Sequence, residues 1–121
     1  MTATTTIKLK VVGAADGVFD LNMPDVEGYI LGRSDSQNPA VPDVDLMKYS
    51  ARERGVSRRH AALIAFDSKL QILDLDSSNG TFVNGVRALP EEPLPLADGD
   101  TLMLGELEIV INLSQTAGYT D

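Results

Sequence analysis

The sequence predicts an all-β fold, an antiparallel β-sandwich interrupted by a long loop or short helix at about residues 34–55. Three observations predict it. The apolar runs are short, and several alternate with polar residues as half-buried strands do. Tight-turn pairs punctuate them: Asp67-Ser68, Asn84-Gly85, Asp98-Gly99 and Gly105-Glu106. A 43% hydrophobic content in 121 residues suits a single core.

Taken in order, Ile7 to Val12 alternates Ile, Leu and Val with Lys8 and Lys10, Val18 to Leu21 follows a glycine-containing turn, and Tyr29 to Leu31 runs into Gly32-Arg33. Further strands are expected at Ala61 to Phe66, Lys69 to Leu75, Thr81 to Val83, Val86 to Leu89, Thr101 to Leu104 and Leu107 to Leu113. Between them, Ser34 to Pro42 reads as a proline-bearing loop. Asp45 to Ala51 reads as a short helix, with Asp45 as N-cap, Gly55 just past its end, and Leu46 and Tyr49 tethering it to the sandwich. The expected organisation is one domain over residues 7–113, with flexible tails at 1–6 and 114–121. No internal repeat is visible.

The formal net charge of −8 argues against a nucleic-acid binder, whose affinity would rest on a basic face. Five of the six arginines nevertheless fall between residues 33 and 59. Such a group attracts an anion locally, because screening confines each charge to roughly 8 Å at physiological salt; the plainer reading is a solvated loop with incidental arginines. The chain has no cysteine, hence no disulfide framework and no thiolate chemistry. Its longest apolar stretches are too short to cross a bilayer, and its first residues lack the pattern of a signal peptide. The expected setting is the cytoplasm, without a membrane partner.

Three polar clusters lie where apolar runs begin or end. Gly32-Arg33 offers a guanidinium able to give a phosphate two parallel hydrogen bonds, although Arg33 read alone is a surface ion-pair partner. Val56-Ser57-Arg58-Arg59-His60 offers a hydroxyl and a charge at the mouth of a strand. His60 shares parity with Ala62, Ile64 and Phe66 and is expected to lean inward, bracing the loop that carries Ser57. Ser78-Asn79-Gly80-Thr81 offers a hydroxyl, a carboxamide able to pair with an extended backbone, and a glycine suited to positive φ; the alternative is an ordinary Asx turn.

In this order and spacing the clusters, with Asn84-Gly85 behind them, resemble the forkhead-associated (FHA) domain, a phosphothreonine-binding β-sandwich. The resemblance runs from about Ile7 to Leu113. It implies that Arg33, Ser57 and Arg58 bind phosphate, that Ser78 lies beside the phosphothreonine, and that Asn79 holds the peptide main chain. It also implies that Gly32, His60, Gly80, Thr81, Asn84 and Gly85 are structural, with Asn84 helping to order the site. The stretch between Arg33 and Ser57 is longer than in compact members of the family, so Arg52, Arg54 and Gly55 have no assigned role.

Rival chemistries fit less well. Ser57 and His60 suggest a hydrolase, but a nucleophile needs a base held by a third group and an oxyanion hole, and the one histidine is expected to face inward. Counting a calcium loop from Asp74 puts glycine at position 7 and Gly85 at position 12, where a bidentate Glu belongs. No enzyme activity, metal or cofactor is expected. The expected function is a phosphopeptide-binding module for threonine-phosphorylated proteins, with a phosphorylated tail threonine (Thr2, Thr4, Thr5, Thr6, Thr116 or Thr120) as a second candidate ligand. The alternative is a phosphate-independent scaffold that binds through the sandwich surface or the 34–55 loop.

Overall fold

The computed structural model describes residues 3–117. Among these residues, eleven strands form two sheets. The six-stranded sheet is ordered β2(Val18–Asn22), β1(Ala3–Val11), β11(Leu107–Ala117), β10(Thr101–Leu104), β7(Thr81–Val83), β8(Val86–Arg87). The five-stranded sheet is ordered β4(Val44–Asp45), β3(Tyr29–Gly32), β5(Ala61–Phe66), β6(Lys69–Asp74), β9(Leu94–Pro95).

Strand alternation builds the core directly. Ile7, Leu9 and Val11 of β1 pair with Leu113, Ile111 and Ile109 of β11. With Leu102 and Leu104 they face Leu31, Leu63, Leu70 and Ile72 of the other sheet, and most of these side chains are fully buried. Asp67-Ser68 and Asn84-Gly85 turn their hairpins with both residues at positive φ, the conformation whose twist matches the flanking strands.

Four expectations need correction. The stretches 3–6 and 114–117, expected to be frayed, form four of the nine rungs of the β1/β11 ladder, from Ala3↔Ala117 to Thr6↔Ser114; the rest of both tails lies outside the described residues. Two short strands, β4 and β9, were not expected. Pro95 lacks a ladder donor and is accommodated because β9 is an edge. Finally, the short helix is one 3₁₀ turn, Met47–Tyr49, whose N-cap position is Leu46. Asp45 instead ends β4, which runs parallel to β3, the one parallel pairing among these strands. The tether does form: Leu46 is buried, and Tyr49 packs edge-on to Phe19 and donates to the Asp16 carbonyl at 3.2 Å.

Candidate functional site

One end of the sandwich gathers the loops that follow β3, precede β5, precede β7 and join β10 to β11. Gly32 is required by sterics, since a Cβ there would overlap the Arg58 carbonyl oxygen. The backbone of residues 57–58 therefore lies directly on the end of β3. Arg33 reaches over it and donates from Nε to the Val56 carbonyl at 2.7 Å. That bond fixes the guanidinium, and no carboxylate among the described residues lies within ion-pair distance of it.

Ser57 Oγ accepts the Ser78 amide at 3.3 Å, joining the second loop to the third. Arg58 is about half exposed, and its Nη1 lies 3.6 Å from Asp35 Oδ2. Asn79 donates from Nδ2 to the Gly55 carbonyl at 2.9 Å, which leaves one N–H and the carbonyl oxygen of its side chain. Gly55 has φ +81°, and a Cβ there would come within 2.6 Å of Asn79 Nδ2. The Gly105-Glu106 turn closes the end of the sandwich: the Glu106 amide donates to Arg54 O at 2.8 Å and the Gly105 amide to Gly80 O at 2.9 Å.

His60 is fully buried, but strand parity is not the reason. β5 sends Ala61 and Leu63 into the core and leaves Phe66 exposed, so parity with Ala62, Ile64 and Phe66 points outward. His60 lies just before the strand and is held by its ring. Nδ1 accepts the Ser57 amide at 3.0 Å, so the proton resides on Nε2, which donates to Gly80 O at 2.8 Å. Burial pulls the ring's pKa below the ordinary 6.5, against the Gly80 hydrogen bond and the Asp74 charge. The neutral ring thus joins the Ser57 loop to the Gly80 loop.

Asp74 was missed as part of this framework. Its Oδ1 accepts Ser77 Oγ at 2.6 Å and Thr81 Oγ1 at 2.7 Å, and its Oδ2 accepts the Ser77 amide at 3.2 Å. Burial pushes its carboxyl up, but the bonds from Ser77 and Thr81 and the nearby His60 hold it below the ordinary 3.8. The signal was present: Asp74 shares parity with the core residues Leu70 and Ile72, and a carboxylate there needs donors. Thr81 is buried by this bond, and Gly80 takes φ +91°.

Arg33, Ser57, Arg58, Ser78 and Asn79 thus sit on loops joined to one another, with Gly32, His60, Gly80 and Thr81 beneath them. Asn84-Gly85 is elsewhere. Asn84 bonds Asp100 Oδ1 and the Thr101 amide, both at 2.9 Å, at the far end of β7 from Gly80. It orders that hairpin and does not touch the site.

The chain matches the FHA domain family over residues 29–105. It is 38% identical over 85 residues to the FHA domain-containing protein FhaA of Mycobacterium tuberculosis, covering 69% of this chain and 14% of that protein. A structure from a study of phosphothreonine-dependent FHA domain interactions superimposes with a TM-score of 0.65 at 28% identity, covering 88% of this chain and 95% of the other. The FhaA FHA domain, solved in complex with the intracellular domain of Rv3910, gives a TM-score of 0.65 at 27% identity, covering 88% and 99%. With the family model matching more than half of its length, on a sandwich that superimposes on solved FHA domains, this chain belongs to the FHA domain family.

Proposed function

We propose that this chain binds phosphothreonine in partner proteins. The phosphate docks among Arg33, Ser57 and Arg58, with Ser78 beside the threonine and Asn79 on the peptide main chain. One observation carries the reading: Arg33 is anchored through Nε to a backbone carbonyl, with no carboxylate in ion-pair range among the described residues. An internal ion pair of Arg33 would have favoured the phosphate-independent scaffold. Concave surface continues past the cluster, with a cleft of about 510 Å³ that includes Ser57 and Arg58 and another of about 420 Å³ that includes Gly55 and Asn79. An extended peptide would have room on both.

His60 gives no support to hydrolysis, because its Nδ1 is engaged by the Ser57 amide and its Nε2 by Gly80. No helix among the described residues is long and apolar enough to cross a membrane. A threonine phosphorylated at the expense of ATP is met in the cytoplasm, which we take as the setting. Capture of a phosphorylated Thr4, Thr5, Thr6 or Thr116 would be intermolecular, since these lie in the outer rungs of the β1/β11 ladder and Ala117 is ten residues along β11 from Leu107, roughly 33 Å at strand rise.

Calorimetric titration with matched threonine and phosphothreonine peptides tests the proposal. Wild type should bind only the phosphopeptide appreciably, and Arg33→Ala should weaken that binding about 10- to 100-fold, as loss of charge-assisted bonds of roughly 1.5–3 kcal/mol requires. Equal binding of both peptides to wild type would overturn it.

A further inference from the structure

Asp35 stands two residues past Arg33 in the loop after β3, and its carboxylate is held at both oxygens. Oδ1 accepts the Gln37 amide at 2.9 Å, and the Asp35 carbonyl accepts the Asn38 amide at 3.1 Å, so the loop turns tightly around this side chain. Oδ2 faces Arg58 Nη1 at 3.6 Å. That distance exceeds the roughly 2.7–2.9 Å of a closed charge-assisted bond, so the contact attracts without locking. The Asp35 carboxyl is held below its ordinary range, first by the Gln37 hydrogen bond and then by Arg58, Arg33 and Arg52, with burial acting in the opposite sense. It is therefore ionised at neutral pH, where a phosphothreonine carries most of its second charge.

We propose that Asp35 is an internal anion of the phosphate site, engaging Arg58 in the empty protein and setting the affinity that an incoming phosphate must overcome. This rests on the phosphothreonine reading above. A phosphate brings −1.5 to −2 charges and three acceptor oxygens, so it can engage Arg33 and Ser57 along with Arg58 and offset the loss of the Asp35 contact. A bare carboxylate brings one charge and gains little by exchanging places with Asp35. The internal anion thus keeps the arginines from collecting acidic side chains and free anions, at the expense of some affinity for the true ligand.

The same geometry supports an opposing possibility, in which Asp35 merely aims Arg58. The two give opposite signs. In Asp35→Asn the amide oxygen still accepts the Gln37 N–H, so the turn is kept while the charge is removed. Titrating the full chain with a phosphothreonine peptide, the variant should bind about two- to fivefold tighter, the range that loss of an exposed ion pair allows. Inorganic phosphate should compete more effectively against it, and its affinity should fall more steeply with salt. In an Arg58→Gln background the same substitution should give no such gain. Unchanged or weaker phosphopeptide binding by Asp35→Asn, or an equal gain with Arg58 replaced, would overturn the proposal. Failure of the underlying reading would look different, with wild type binding the unphosphorylated peptide equally well.

Discussion

At the scale of single residues, the site depends on close approach as much as on charge. Gly32 has no room for a Cβ beneath the Arg58 carbonyl, so Gly32→Ala should displace the Ser57-Arg58 backbone. Phosphopeptide affinity is expected to fall at least tenfold and the melting temperature to drop, both measurable on the same sample; unchanged affinity would show that the contact does not position the loop. Motif and spacing mark Arg33, Ser57, Arg58, Ser78 and Asn79 together in the sequence, and what the fold adds is that their loops are hydrogen-bonded to one another. The carboxylate of Asp74 was not legible there, because its partners Ser77 and Thr81 read as ordinary turn residues until the buried face of β6 is known. The inward placement of His60 was expected for a reason that fails: its ring is buried by two hydrogen bonds just outside the strand, where alternation has no hold.

At the scale of elements, the long strands were legible because apolar alternation and turn pairs agree. β4 and β9 were not, since two residues carry no period and Pro95 argues against a strand. The 3₁₀ turn has a local cause: Leu46 is drawn into the core, Asp45 into β4, and Ser50 takes a left-handed conformation at φ +60° that ends the helix after one turn. The Asn84-Gly85 hairpin separates framework from site. Asn84→Ala removes two hydrogen bonds at the far end of β7 and should cost about 1–2 kcal/mol in chemical denaturation. Phosphopeptide affinity should stay within twofold, and a large loss would place Asn84 in the site after all.

At the scale of the whole molecule, two titrations within the loop framework contribute to acid sensitivity. His60 is neutral when folded and takes up a proton more readily when unfolded, so its contribution is complete above pH 6.5 and is lost as pH falls from there through its lowered folded value. Asp74 behaves as a depressed carboxylate: its contribution is present above 3.8 and is lost as pH falls through its lower folded value. Denaturation midpoints measured against pH should therefore decline in two stages, with the first absent in His60→Gln. A single-stage decline in wild type would mean that the buried ring does not limit stability. Affinity should weaken over the first stage as well, because a protonated Nδ1 cannot accept the Ser57 amide and because the ligand's own second phosphate ionisation lies near pH 6.

The antiparallel ladder from Ala3↔Ala117 to Val11↔Ile109 also dictates how the domain bears force. Its two described ends share one pole, and the loops carrying Arg33, Ser57 and Asn79 lie at the other, beside the Gly105-Glu106 turn. Tension applied between those ends peels β1 from β11 one rung at a time, starting at Ala3 and Ala117, and meets little resistance at any instant. Tension between a captured partner and either end runs along the strands and loads the rungs together. The same ladder would therefore open in sequence under a pull between its ends and in shear under a pull from a ligand bound at the opposite pole.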